Sequence, residues 1–135
     1  MVYANAGNFN LKRKFDVIVA GDLIEHLFNV GSFIDSVKKH MRKNSILIIT
    51  TPNAFSFRRS IGSLFLSKLR GNTEHVLYYS NVTIYQLLKR KGFKDIKIKY
   101  FNSKDNNKFT RTIEKALSLF LRKETRNNLL ITAKL

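Results

Sequence analysis

Residues 15–33 read FDVIVAGDLIEHLFNVGSF. The first six, Phe15–Ala20, form a short apolar run rich in β-branched residues and without alternation. That is how a strand buried on both faces of a parallel sheet reads, so a central place is expected for it. From Gly31 onward Phe33, Ile34, Val37 and Met41 follow helical spacing, with Lys and His filling the other face. Ser32 is the expected N-cap, with Asp35 three residues on as in a capping box. A second apolar β-branched run, SILIITT at Ser45–Thr51, is ended by Pro52 and Asn53. Strand, helix and strand in this length make a βαβ unit, whose connection should be right-handed.

Outward from this unit the pattern loosens. Residues 54–79 read as an excursion over the sheet, with a helix expected through Ile61–Leu69 that stops at Gly71-Asn72. Ser80 or Asn81 then caps a helix with Val82, Ile84, Leu87 and Leu88 inward, ending at Gly92. Phe93–Phe101 follows as a strand in which Lys94, Lys97 and Lys99 are interspersed with Phe93, Ile96, Ile98 and Tyr100, so one face should be wet. A polar loop at Asn102–Lys108, an amphipathic helix at Thr110–Arg122 and a last strand at Asn128–Leu135 complete the series. The fold class expected is α/β, the second half of a doubly wound sheet, mostly parallel with a final antiparallel strand and helices packed on it.

The chain has 135 residues, a length for one domain. It carries 25 Lys+Arg against 9 Asp+Glu, a formal net charge of +16. With 44% hydrophobic residues the composition is that of a globular protein rather than a disordered one. The absence of cysteine excludes disulfides, a cysteine nucleophile and thiolate metal sites, and agrees with a reducing, cytoplasmic setting. No apolar run approaches the roughly 18 residues of a membrane-spanning helix. The basic clusters recur along the whole chain, among them Lys12-Arg13-Lys14, Lys38-Lys39 and Lys89-Arg90-Lys91. RNA or another polyanion is therefore a candidate partner, and a generally Lys-rich surface is the alternative.

Three stretches in register carry a family resemblance: FDVIVAGDLIEHLFNVGSF, LIITTPN at Leu47–Asn53, and NTEHVLYYSNVTIYQLLKRKGF at Asn72–Phe93. Together they resemble the C-terminal half of a class I S-adenosylmethionine-dependent methyltransferase, in the broad group that includes the ubiquinone-biosynthesis O-methyltransferases. The resemblance runs from about Val2 to Phe101, and the terminal strand fits the family's final antiparallel strand. It implies S-adenosylmethionine as cofactor and methyl transfer to an oxygen or nitrogen acceptor. The family's glycine-rich cofactor loop and the acidic residue that ends its second strand have no counterpart in this sequence. Residues 1–135 are thus expected to be a single partial, truncated Rossmann-like domain lacking the N-terminal cofactor-loop half, with Met1 inside the third strand. A non-catalytic remnant acting as a basic nucleic-acid-binding or protein-interaction module is the alternative.

Residue by residue, the resemblance places Asn5 and Ala6, within VYANAGNFNL, at the adenine-binding turn. The amide oxygen of Asn5 would accept there in place of the commoner Asp. Gly21 and Asp22 fall at the methionyl end of the cofactor, beyond the carboxyl end of a strand, where ligands of such sheets bind. Alternatively, Gly21 permits a tight turn and Asp22 accepts from local amides.

Asp22, Glu25 and His26 form D-x-x-E-H, one helical turn of spacing, so Asp22 can converge with Glu25 or His26, and His75 can add a fourth group. Some relatives, the metal-dependent small-RNA 2′-O-methyltransferases among them, carry E-x-x-E-H here, where a divalent ion lowers the pKa of the acceptor hydroxyl. Asp22, Glu25, His26 and His75 are the candidate catalytic residues; no metal site is assigned, and the same four are the residues that one would use. His26 as general base and a structural role in orienting loops remain the other readings. Tyr78 and Tyr79 are candidates for an acceptor pocket or for the core. A strand Phe15–Ala20 left at a sheet edge would recruit a second copy of the chain or a complementing chain.

Overall fold

The computed structural model describes residues 2–56, 74–102 and 126–135. Four strands form one sheet in the order β1-β2-β4-β3: β1 (Phe15–Gly21), β2 (Met41–Pro52), β3 (Lys94–Phe101) and β4 (Asn128–Lys134). β1 pairs with β2 in parallel, and β4 runs antiparallel to both β2 and β3. The class is α/β as expected, a Rossmann-like mixed sheet in which β1, β2 and β3 run one way and the last strand is reversed. The expected helices at 61–69 and 110–122 and most of the expected loop at 102–108 lie outside the described residues.

β1 is not central. It stands at one edge of the described sheet, as the family resemblance implied, and its burial differs from the first reading. Val17 and Val19 are 52% and 65% exposed, while Ala20 on the opposite face is 2% exposed. A run of β-branched residues records strand propensity, and whether both faces are covered is decided by what packs there.

Both helices, α1 (Val30–Lys39) and α2 (Asn81–Arg90), send their buried residues into a single core. Ile34 and Val37 of α1 and Ile84 and Leu88 of α2 are fully buried there, against Leu47 and Ile49 of β2 and Leu129 and Ile131 of β4. The register sets Val17 beside Ile46 and Val19 beside Ile48, so these four share the sheet's other face.

Three local readings change. α1 is capped by Asn29, whose side chain accepts from the Ser32 N–H at 3.0 Å; Ser32 is the third residue inside the helix. Asp35, free of any capping duty, pairs with Lys91 at 2.6 Å and ties α1 to the end of α2. Met41 does not continue the helix. His40 ends it, its carbonyl accepts from the Phe15 N–H at 2.8 Å, and Met41 opens β2 opposite Phe15.

Ser80 caps α2 with a reciprocal bond to Thr83, and the helix ends at Arg90 with Lys91 as its C-cap, so the expected Gly92 is the next residue. There the Gly92 N–H reaches the Lys89 carbonyl and the Phe93 N–H the Leu88 carbonyl, both at 3.0 Å, a Schellman ending. Gly92 has φ +85°, which a glycine adopts without strain. Val82, expected inward, is 59% exposed, because the buried stripe runs through Ile84 and Leu88 and Val82 lies two residues off it. β3 alternates as expected, with Lys97 and Lys99 in water and Ile96 and Ile98 against the core.

Candidate functional site

The site grows from the carboxyl ends of β1 and β2. Gly21 closes β1 opposite Thr50, and the chain reverses at Asp22, which has φ +45°. The positive φ therefore falls on Asp22, not on Gly21. A β-carbon on Gly21 would meet only Thr50 Oγ1, at 3.7 Å. Thr50 holds the turn: the Asp22 N–H donates to the Thr50 carbonyl at 3.0 Å, and the Thr50 hydroxyl donates to Asp22 Oδ1 at 3.1 Å. The partner of the Asp22 carboxylate is thus a β2 side chain rather than a run of local amides, and the residue stays exposed to whatever lies above the sheet.

A single 3-10 turn, Ile24–His26, follows. It buries Ile24 completely and takes Glu25 with it, to 1% exposure. A carboxylate so placed needs partners. Glu25 Oε2 accepts from the Thr51 hydroxyl at 2.9 Å, while Oε1 is buried and has no hydrogen-bond partner among the described residues. The Glu25 carbonyl accepts from the Val76 and Leu77 N–H groups at 2.8 and 3.1 Å, which lays the 74–79 segment along the turn. That pairing brings His75 to His26 across 49 positions of sequence; their rings meet edge to face, 4.8 Å between centroids.

His26 Nδ1 lies 3.0 Å from the Glu74 carbonyl. A carbonyl only accepts, so this bond places the proton of the neutral ring on Nδ1 and leaves Nε2 with its lone pair. Ligand atoms of Glu25, His26 and His75 all lie within 4.8 Å of one another. Two imidazoles and a carboxylate suit a divalent ion, whose donors at bonds of about 2.1 Å sit roughly 3.5 Å apart, so the set is somewhat open for one. Asp22, turned to Thr50, is not part of this group; D-x-x-E-H spacing converges in a continuous helix, and here a strand end and a 3-10 turn intervene.

Tyr79 is 6% exposed and packs in the core. Burial, and secondarily the Glu25 carboxylate, push its hydroxyl up from 10.0 to about 12. Tyr78 borders the imidazoles instead, 5.6 Å from the His75 ring. Asn53, at the end of β2, bolts three segments together. Its N–H donates to the Asn127 carbonyl and its Nδ2 to the Arg126 carbonyl, both at 2.8 Å, and its Oδ1 accepts from the Phe55 N–H at 3.1 Å.

Asn5 and Ala6 do form a turn. The Asn8 N–H reaches the Asn5 carbonyl at 3.1 Å, and the Gly7 N–H donates to Asn5 Oδ1 at 2.8 Å, so one lone pair of the amide oxygen serves the turn itself. The segment runs down α1, with Phe9 bonded to Ser36 and Leu11 to His40. Since α1 leads from the carboxyl end of β1 back to the start of β2, the Asn5 turn lies toward the end of the sheet that carries Asp22.

Residues 2–98 match the model of a family described as a methyltransferase domain. Among solved structures, the chain is similar to a SAM-dependent methyltransferase from Archaeoglobus fulgidus, at 20% identity and TM-score 0.64 over 90% of this chain and 60% of that one. It is also similar to a SAM-dependent methyltransferase from Thermotoga maritima, at 14% identity and TM-score 0.68 over 97% of this chain and 61% of that one. A third, from Mesorhizobium loti, gives 15% identity and TM-score 0.62 over 98% and 67%. At such identities the likeness is one of fold. The chain spans about three fifths of the length of the first and second of these proteins. No curated protein matches the sequence.

Proposed function

The chain belongs to the methyltransferase-domain family, and we propose that it carries the acceptor side of an S-adenosylmethionine-dependent methyltransferase acting on an oxygen or nitrogen nucleophile. The observation that carries this reading is the convergence of buried Glu25, His26 and His75 just beyond the carboxyl ends of β1 and β2, with Asp22 exposed beside them at the end of β1. That is where ligands of open α/β sheets bind. The relatives' cofactor supplies a methyl group on a sulfonium, ready for in-line attack.

The residues present fit that group in part. Asp22 offers an exposed carboxylate, fixed by Thr50, to the ammonium of the methionyl end. The Asn5–Ala6 turn offers backbone groups and an amide to the adenine. His26 Nε2, with Nδ1 fixed on the Glu74 carbonyl, would accept the acceptor's proton, while the cofactor when bound would supply the methyl group and leave as the thioether. Glu25 steadies the positive charge that the imidazoles gain, through the carboxylate oxygen that Thr51 leaves free.

A divalent ion on Glu25, His26 and His75 would provide a second route to the same deprotonation. Calorimetric titration separates the roles. S-adenosylmethionine binding should weaken about tenfold in Asp22→Ala, the loss of one charge-assisted contact. It should be unchanged in His26→Ala, which loses turnover instead. Equal binding in wild type and Asp22→Ala overturns the assignment of Asp22. If manganese, zinc or magnesium neither binds nor raises the melting temperature, the ion route is excluded and His26 stands as the base.

A further inference from the structure

The segment that leads into β1 is fastened to α1 by two buried side chains that the methyl-transfer reading leaves without a role. Ser36 and His40 stand one helical turn apart, 1% and 2% exposed. The Ser36 hydroxyl accepts from the Phe9 N–H at 3.3 Å and donates to Asn8 Oδ1 at 3.4 Å. His40 Nε2 accepts from the Leu11 N–H at 2.7 Å, and Nδ1 donates to the Ser36 carbonyl at 2.7 Å. The ring lies 4.9 Å from that of Phe9, centroid to centroid, and Phe9 also meets Phe33 at 6.2 Å.

The partners decide the chemistry of this imidazole. A backbone N–H only donates and a carbonyl only accepts, so the ring is neutral with its proton on Nδ1. A second proton, on Nε2, would set one N–H against another at Leu11 and break the bond. No water is needed to complete either nitrogen, because both are already bonded to backbone.

We propose that Ser36 and His40 are positioning residues for the adenine turn at Asn5–Gly7, and that His40 makes this hold proton-sensitive. Asn8, which closes the turn onto the Asn5 carbonyl, is the residue whose side chain Ser36 grips, so fastening residues 8–11 fixes the turn ahead of them. The ionisable groups on the elements around the ring are Lys12, Arg13 and Lys14 on the segment and, on α1, Lys38, Lys39 and Asp35, the last held by Lys91. β1 adds Asp16, and β2 adds Arg42 and Lys43. Asp16 is engaged by Arg42 at 2.7 Å. The proposal rests on the reading of Asn5–Gly7 as the adenine turn; the latch itself does not.

The test therefore has two readouts on the full chain. The first is amide hydrogen exchange at Phe9 and Leu11, corrected for intrinsic exchange, between about pH 8 and about pH 5.5, a span in which histidines change charge. Protection should fall about tenfold on acidification in wild type, roughly one hydrogen bond's worth. It should stay level in His40→Gln, whose side-chain oxygen reaches the place of Nε2 and accepts at every pH. Protection that does not change with pH in wild type, or that falls equally in His40→Gln, overturns the latch.

The second readout is S-adenosylmethionine affinity over the same range. It should fall with pH in wild type, hold in His40→Gln, and be weak throughout in His40→Ala. Exchange that behaves as expected with no binding at any pH would keep the latch and overturn the adenine-turn reading. Binding that is indifferent to His40→Ala would overturn the positioning role. Wild-type exchange needs no variant, so a poorly folded His40→Ala leaves the first readout intact.

Discussion

Glu25 is the side chain whose burial asks most of its neighbours. One hydroxyl, from Thr51, meets one of its oxygens, and both residues are essentially inaccessible. Thr51→Val keeps the shape and removes the donor, so it should destabilise the fold by about 2 kcal/mol, the cost of stripping a partner from a buried charged acceptor. Urea unfolding of the variant measures this; a midpoint equal to wild type would mean that the carboxylate is held by other means. Tyr79 supplies a pH dependence. Its hydroxyl titrates at about 12 in the folded chain against 10.0 for the free side chain. Above pH 10 the unfolded state therefore releases a proton that the folded state keeps, and stability falls as pH rises from 10.0 through about 12. Tyr79→Phe should flatten the alkaline limb of a melting-temperature profile; a profile identical to wild type contradicts the assignment.

At the same scale, the site was half legible in the sequence. Glu25 and His26 are adjacent and announce themselves, and His75 followed from the family's motif. Asp22 stands apart from the group because D-x-x-E-H is not continuous helix: Asp22 itself has φ +45° and Leu23 intervenes before the 3-10 turn. Thr50, Thr51, Ser36 and His40 were not singled out, since their roles exist only once β2 and α1 are packed against β1 and the segment before it.

Among the elements, the two glycines contrast. Gly92→Ala puts a β-carbon on a residue with φ +85° and should cost about 1 kcal/mol. Gly21→Ala, with ordinary contact to Thr50 and no positive φ, should fold as wild type does and disturb only what binds above it. Thermal melts of the two variants check both, and equal losses would contradict the backbone reading. Ser80→Ala should likewise cost about 1 kcal/mol by removing the reciprocal cap of α2. Strand identity was readable because Val, Ile and Thr runs stand between turn residues. Helix ends were not: Asn29 and Ser32 are both good caps three residues apart, and helical spacing carried on to Met41 where the sheet had already taken the chain. Sequence periodicity does not record which of two competing partners wins at a boundary.

At the scale of the whole molecule, the described sheet ends on β1, whose Val17 and Val19 are open to water. We propose that a second copy or a complementing chain pairs with this edge. Sedimentation at tens of micromolar, an order-of-magnitude choice for weak association, should show species above monomer that Val19→Lys dissolves; a monomer in both forms contradicts the pairing. Within the net charge of +16, Lys97 and Lys99 on β3 form a basic strip at the opposite edge of the described sheet. Among the described residues no helix is long and apolar enough to cross a membrane.

The central claim is that the carboxyl ends of β1 and β2, with the Asn5 turn, form a cofactor site. Amide NMR shifts recorded while S-adenosylmethionine is titrated into the chain test it most directly, because even weak binding moves the resonances of the residues it touches. The account predicts saturable shifts at Asn5–Gly7 and Gly21–His26, with β3 unmoved. Shifts confined to other residues, or none at millimolar ligand, roughly the weakest affinity worth calling a site, would contradict it.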